Sequence, residues 1–170
     1  MKIIPALITS SLVSLSGLAL AQDAQFNDMS FFVTSVGLGN GGDLGGLSGA
    51  NAHCQALAEA AGAGERHWHA YLSGESVAGE ARVNARDRIG SGPWYNANGV
   101  LIANNPSDLH LYNRTIDKNT AVDENGNQIN GVGDSPNRHD ILTGAQEDGT
   151  AFFPDEADHT CNNWTSSSDG

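Results

Sequence analysis

A chain of 170 residues with 20 acidic and 8 basic side chains, a net charge of −12, offers no positive footprint for nucleic acid or an anionic membrane surface. Such an excess of acid keeps a protein soluble, holds calcium or marks a saline habitat, and charge alone separates none of these. The length suits one domain with its own core.

Met1-Lys2, an apolar run from Ile3 to Leu20 and the small-x-small end Ala19-Leu20-Ala21 read as a secretory signal peptide over 1–21. Pro5 and the serines in the run argue against a membrane span. No cysteine follows the cut, which argues against a lipoprotein anchor. The chain is therefore expected to be secreted or periplasmic, with no membrane insertion after cleavage. Residues 22–30 are polar and read as a flexible leader, and Phe31 to Ser35 has strand composition. Seven glycines between Gly37 and Gly49 make a loop. It is not a phosphate cradle, because no Gly-Lys-Ser/Thr element follows. Gly46-Leu47-Ser48-Gly49-Ala50 misses the nucleophile-elbow pattern at its last position, so Ser48 reads as a helix N-cap.

Ala50 to Ala61 is the clearest helix, with Ala50, Cys54, Leu57 and Ala61 on one face and Gly62 and Gly64 as its stop. Leu57 is expected to pack on Trp68 or Leu72, at a cost of roughly 2–5 kcal/mol for Leu57→Ala if the site is fully buried. Trp68, Ala70 and Leu72 alternate with His67, His69 and Tyr71 as a strand with one buried face. Val83 to Ile89 is helical or irregular. Asn98-Gly99, between Pro93 and Ile102, and Asn125-Gly126, between Ala121 and Ile129, are hairpin signals. Asn130 to Gly149 is polar and turn-rich. With 6% aromatic residues and one clear helix, the remainder must be short strands and long loops.

Several patterns bear on chemistry. Asp123-x-Asn125-x-Asn127 has the alternate oxygens of an EF-hand start. Gly126 comes one residue too early, however, and the twelfth-position Glu is missing, so the hairpin explains it better. His67 and His69 share one strand face and could chelate a transition metal, but surface or half-buried histidines explain them better. Asp134, Asp140, Glu147 and Asp148 offer oxygens that no spacing selects. Arg138-His139-Asp140 has acid–base composition without a recognisable nucleophile. Asn113-Arg114-Thr115 and Asn163-Trp164-Thr165 are glycosylation sequons.

Gly49 to Ser73 resembles the endostatin pattern of Gly-Ala-Asp-x-x-Cys, a helix, then an aromatic strand ending Leu-Ser. The tail Ile141 to Thr150, with Cys161-Asn162-Asn163-Trp164-Thr165, resembles a later endostatin segment, and the two matches cover about a third of the mature chain. The runs Ala85 to Tyr95 and Pro136 to Gly144 are similar to an uncharacterised group of secreted bacterial proteins. The resemblance implies an α+β, C-type-lectin-like and endostatin-like fold over 31–170, with one main helix against short antiparallel strands. It also implies four cysteines, the first paired with the last and the second with the third. Cys54 matches the first and Cys161 the second. Their partners would lie past Gly170 with the closing strands, so the chain reads as incomplete at its C-terminus and the two cysteines are expected not to pair with each other. Without the resemblance, two cysteines in an exported chain suggest one bridge closing a loop of about 107 residues.

Sugar-binding lectins of this superfamily carry Glu-Pro-Asn or Gln-Pro-Asp before the second cysteine and Trp-Asn-Asp after it. Phe153-Pro154-Asp155 lacks the first ligand, and Trp164 is followed by Thr165 and Ser166. Endostatin's zinc ligands sit mainly at its N-terminus, and residues 22–30 hold no histidine. The resemblance therefore implies a binding module for a glycan or an extracellular protein that does not use the usual calcium–sugar site. No catalytic residue, metal or cofactor is assigned. The candidate ligand-binding residues are Asp134, Asn137, Arg138, His139 and Asp140. Two other readings stay open: a hydrolase using the 134–140 loop, and a structural envelope or matrix component. The signal assignment predicts that mass spectrometry of the exported protein finds Gln22 as its N-terminus; an intact Met1 in the exported fraction contradicts it.

Overall fold

The computed structural model describes residues 28–76, 81–112, 115–155 and 157–168. The signal segment and residues 22–27 of the leader lie outside them. The domain starts before Phe31, because Met29 is only 1% exposed and sits in the core, so the last residues of the expected leader belong to the fold.

Helix α1 runs Gly46–Ala60 and begins earlier than its alanine-rich pattern suggests. Its N-cap is Gly45, held in the left-handed region at φ 73° with no side-chain cap, so Ser48 lies inside the first turn rather than capping it. Asp43 carries the entry turn by accepting from the Gly45 amide at 3.1 Å. Gly62, at φ 83°, ends the helix as its sequence position predicts. Ala50 and Ala58 are buried, and Leu47 and Cys54 pack against the core from the same side. Leu57 is half-buried and packs in none of the three core clusters, so Leu57→Ala removes less than a core leucine would.

The expected strand at 67–72 keeps the burial alternation: Trp68, Ala70 and Leu72 are buried and His67 and His69 exposed. Among the described residues it pairs with no neighbouring strand; its partners are side chains of α1. The Ala70 amide donates to Asn51 Oδ1 at 2.9 Å and the Trp68 amide to Gln55 Oε1 at 3.1 Å. The spacing explains why this works. Four residues along a helix rise about 6 Å and two along a strand about 6.7 Å, so an i, i+4 amide pair matches alternate strand amides. Arg88 closes the arrangement. Its guanidinium donates to Ala70 O at 2.7 Å, Leu72 O at 3.0 Å and Asn51 Oδ1 at 2.8 Å. Arg88 follows a single 3₁₀ turn, Ala85–Asp87, which is what the 83–89 stretch forms.

The two Asn-Gly signals both make turns. Strands β1 (Trp94–Tyr95) and β2 (Leu101–Ala103) pair antiparallel around Asn98-Gly99, with Asn96 Oδ1 accepting the Asn98 and Val100 amides. The second turn closes on one bridge, Val122 to Gln128, and its Gly126 carbonyl accepts from Asn98 Nδ2 at 3.0 Å, so the two turns abut. Phe31 to Ser35 is extended but joins these elements along one edge only, through Phe31 N to Tyr95 O at 3.0 Å and Val33 N to Val122 O at 2.9 Å. The described residues thus form a mixed structure of one long helix, a small antiparallel sheet and long loops.

Each of the three tryptophans anchors one apolar cluster. Trp68 packs with Met29, Ala58, Ala97 and Val122. Trp164 packs with Ala50, Ala70 and Leu72, and Trp94 with Ile102 and Ala103. The indole N–H groups of Trp68 and Trp164 donate to Ala63 O at 2.9 Å and Ser73 O at 2.7 Å, so neither is buried unpaired. We predict that Arg88→Met, which keeps the stem and removes the fork, costs about 2–3 kcal/mol in denaturant unfolding and that Arg88→Lys restores less than half of it. Wild-type stability in either variant contradicts the account.

Candidate functional site

The 31–38 segment and the 67–72 segment line one cavity of about 960 Å³, to which α1 contributes His53 and Cys54. Four of the six histidines line it: His53, His67, His69 and His110. The 67–72 segment lines it with residues of both faces, the exposed His67 and His69 and the buried Trp68, Ala70 and Leu72. Among the described residues, no group of three or more His, Cys, Asp or Glu side chains sits close enough to hold a metal ion.

The loop residues singled out in the sequence divide. Arg138 and Asp140 line the cavity, beside Ile141 and Leu142, which are each 55% exposed. Asp134, Asn137 and His139 do not. Asp134 pairs with Lys118 Nζ at 2.6 Å and accepts from Gly131 N at 2.8 Å, and these bonds, Lys118 first, hold its carboxyl below the ordinary range. Asn137 Oδ1 accepts the His139 amide at 3.2 Å, a local turn bond. His139 Nδ1 and Asp140 Oδ1 are 2.8 Å apart, but the Asp140 side chain is 98% exposed, and water competes for that pair.

Sequence reasoning missed a dyad at the cavity wall. His110 Nδ1 donates to Pro106 O at 2.6 Å, and its Nε2 lies 2.7 Å from the Tyr71 hydroxyl. Burial pushes the Tyr71 phenol up to about 12, and it stays a donor at neutral pH. The partners lie 39 residues apart, and no local pattern links them. Glu124, 3% exposed, was also missed; its carboxylate accepts from the Ser35 amide and hydroxyl and ties the extended segment to the second hairpin.

Both cysteines are free thiols, so the single bridge between them is not formed. Cys54 lines the cavity half-buried; burial raises its thiol pKa, with Arg88 pulling the other way. Cys161 lies against Gly42, where any Cβ would collide with its sulfur. It opens the turn Cys161–Trp164, whose four residues all have φ between 50° and 65°. That left-handed turn is costly except at asparagine. Asn163 holds it by accepting the Glu75 amide at 2.7 Å and donating to Glu75 O at 3.2 Å, which occupies the sequon's side chain. Asn113, in the other sequon, lies outside the described residues.

The acidic turns are closed on themselves. Asp123 Oδ1 accepts the Asn125 and Asn127 amides at 2.9 and 2.8 Å, as the hairpin reading of that motif expects. Asp155, in the Phe-Pro-Asp tripeptide, accepts the Ala157 amide at 2.9 Å and lies 3.2 Å from His159 Nε2. Asp158 accepts the Thr160 and Asn162 amides at 2.9 and 2.6 Å. No described helix is long and apolar enough to cross a membrane.

No protein-family model matches the chain, no curated protein is similar to it in sequence, and no solved structure is similar to it.

Because these carboxylates spend their oxygens on backbone amides, we predict that EDTA leaves the thermal midpoint unchanged to within about 1 °C. A drop of several degrees in the same melt contradicts that prediction.

Proposed function

We propose that the chain is an exported ligand-binding module of the C-type-lectin-like, endostatin-like class, taking a glycan or an extracellular protein without the usual calcium–sugar site. The observation that supports the reading most is the cavity of about 960 Å³, walled by Phe31, Trp68, Tyr71 and Trp94 and carrying Arg138 and Asp140. A large, mainly apolar hollow with a few polar groups is the ordinary form of a binding site. The fold class rests on the Gly49 to Ser73 and Cys161 to Thr165 resemblance, and a fold does not by itself fix a ligand. Two unpaired thiols in an exported chain are consistent with the four-cysteine pattern that the resemblance implies.

The hydrolase reading is not favoured. His139 and Asp140 are exposed, and Tyr71 is held protonated against His110. Nothing in the structure favours a purely structural role.

The purified exported protein is screened on a glycan array and against a displayed peptide library. Leu142→Arg, which places a cation in the cavity lining, is expected to abolish at least nine-tenths of the binding found. Val132→Arg, 76% exposed and not part of the lining, is expected to leave it unchanged. Binding indifferent to Leu142→Arg, or turnover of generic esters or glycosides that His139→Ala removes, overturns the proposal.

A further inference from the structure

Four Asn-Gly pairs occur in the chain: Asn40-Gly41, Asn98-Gly99, Asn125-Gly126 and Asn130-Gly131. Such a pair carries its own electrophile and nucleophile. The glycine amide nitrogen can close a five-membered ring on the asparagine side-chain carbonyl carbon, and glycine has no Cβ to obstruct the closure. The fold holds three of the pairs at both reacting groups. The amides of Gly99, Gly126 and Gly131 donate to Asn96 O, Asp123 O and Asp134 Oδ2 at 3.0, 3.0 and 2.8 Å. The side-chain amides of Asn98, Asn125 and Asn130 donate to Gly126 O, Glu124 Oε1 and Pro136 O at 3.0, 3.3 and 3.0 Å. Asn40-Gly41 differs. Both residues are exposed, and among the described residues neither the Gly41 amide nor the Asn40 side chain makes a hydrogen bond. The tie of this pair is Asn40 O, which accepts the Asp43 amide at 3.1 Å.

We infer that the fold selects Asn40 among these pairs as a site of spontaneous covalent modification, its side-chain amide hydrolysed through a cyclic imide formed with Gly41. The Gly41 nitrogen bonds to Asn40 Cγ, the Cγ–Nδ2 bond breaks, and Nδ2 leaves as ammonia with the proton of the Gly41 amide. Water then opens the ring. Attack at Cγ breaks the new bond and leaves aspartate. Attack at the Asn40 main-chain carbonyl carbon breaks the original peptide bond and leaves isoaspartate, with the chain running through Cγ. No electrons are transferred, and water is the sole co-reactant. Both reacting groups belong to one dipeptide, so neither a second protein nor any further part of the chain has to supply one. At each held pair two hydrogen bonds are given up before the ring closes, which slows closure about five- to a hundredfold for two ordinary bonds. The product acts on the entry to α1. Asp43, bonded to Asn40 O, accepts the amide of Gly45, the N-cap. Gly42 packs so closely on Cys161 that a Cβ there would collide with the sulfur. Isoaspartate adds a methylene to the main chain of this tight turn, and either product adds a negative charge.

The test uses the full exported protein, held at mildly alkaline pH with and without concentrated urea, sampled over days and digested in weak acid. Mass spectrometry follows the conversion of amide to acid in the four Asn-Gly peptides, with aspartate and isoaspartate separated by chromatography. In native buffer the Asn40 peptide is expected to convert at least about fivefold faster than any of the other three. In urea, which solvates the peptide groups and releases the held pairs, the four rates are expected to agree within about threefold. An Asn40 peptide that converts in urea but keeps its amide in native buffer shows that the folded protein covers or holds the pair, and overturns the inference. Conversion of Asn98, Asn125 or Asn130 at the Asn40 rate in native buffer also overturns it. A native preference for Asn40 that persists undiminished in urea lies in the neighbouring residues rather than the fold, and likewise overturns it.

Discussion

The structure depends on how the 67–72 segment is held without a neighbouring strand. A buried extended segment must satisfy the backbone groups of each residue, and these point alternately to two sides. Here α1 and Arg88 replace the strand on one side. Asn51 and Gln55 take the amides of Ala70 and Trp68, and Arg88 takes the carbonyls of Ala70 and Leu72 while bonding Asn51. The guanidinium is partly desolvated there, and burial lowers its pKa, so its bonds must offset that cost. The fork geometry lets one side chain reach three oxygens.

The same substitution of side chain for backbone recurs where the chain is irregular. Ser73 Oγ accepts the Ala85 amide and Asn84 Oδ1 the Ala151 amide, each at 3.0 Å. Glu124 accepts the Ser35 amide. Elements that pair through a single bridge or none are thus tied together by short polar side chains. The apolar contribution is divided among three tryptophan clusters, two of which share Cys54 at their margin. The largely alanine face of α1 permits that close packing, because Ala50 and Ala58 keep the helix backbone near Trp164 and Trp68.

Local chemistry made part of this legible in the sequence. Both Asn-Gly turns, the Gly62 stop and the alternation through Trp68, Ala70 and Leu72 follow from backbone preference or strict period. The helix start was not legible, because a left-handed Gly45 does what a capping Ser48 was expected to do. The helix face was displaced because Leu57 looks like the natural core residue, whereas tertiary packing prefers the smaller Ala58. Met29 looked like part of a leader because its apolar partners Ala58, Trp68 and Val122 lie far away in sequence. In the candidate site, Arg138 and Asp140 reach the cavity, but Asp134 is spent on Lys118. The other cavity walls, Phe31, Trp68, Tyr71 and Trp94 among them, come from segments far apart in sequence, and no local pattern brings them together.

Clamping one edge of the 67–72 segment by side chains leaves the other edge open, and the alternation of its amides reports both facts at once. Native-state hydrogen exchange measured residue by residue is the most direct test. The account predicts that the Trp68 and Ala70 amides exchange at least about a hundredfold more slowly than those of His69 and Tyr71. Equal protection across all four amides would show that the segment is paired on both edges, or on neither, and would contradict it.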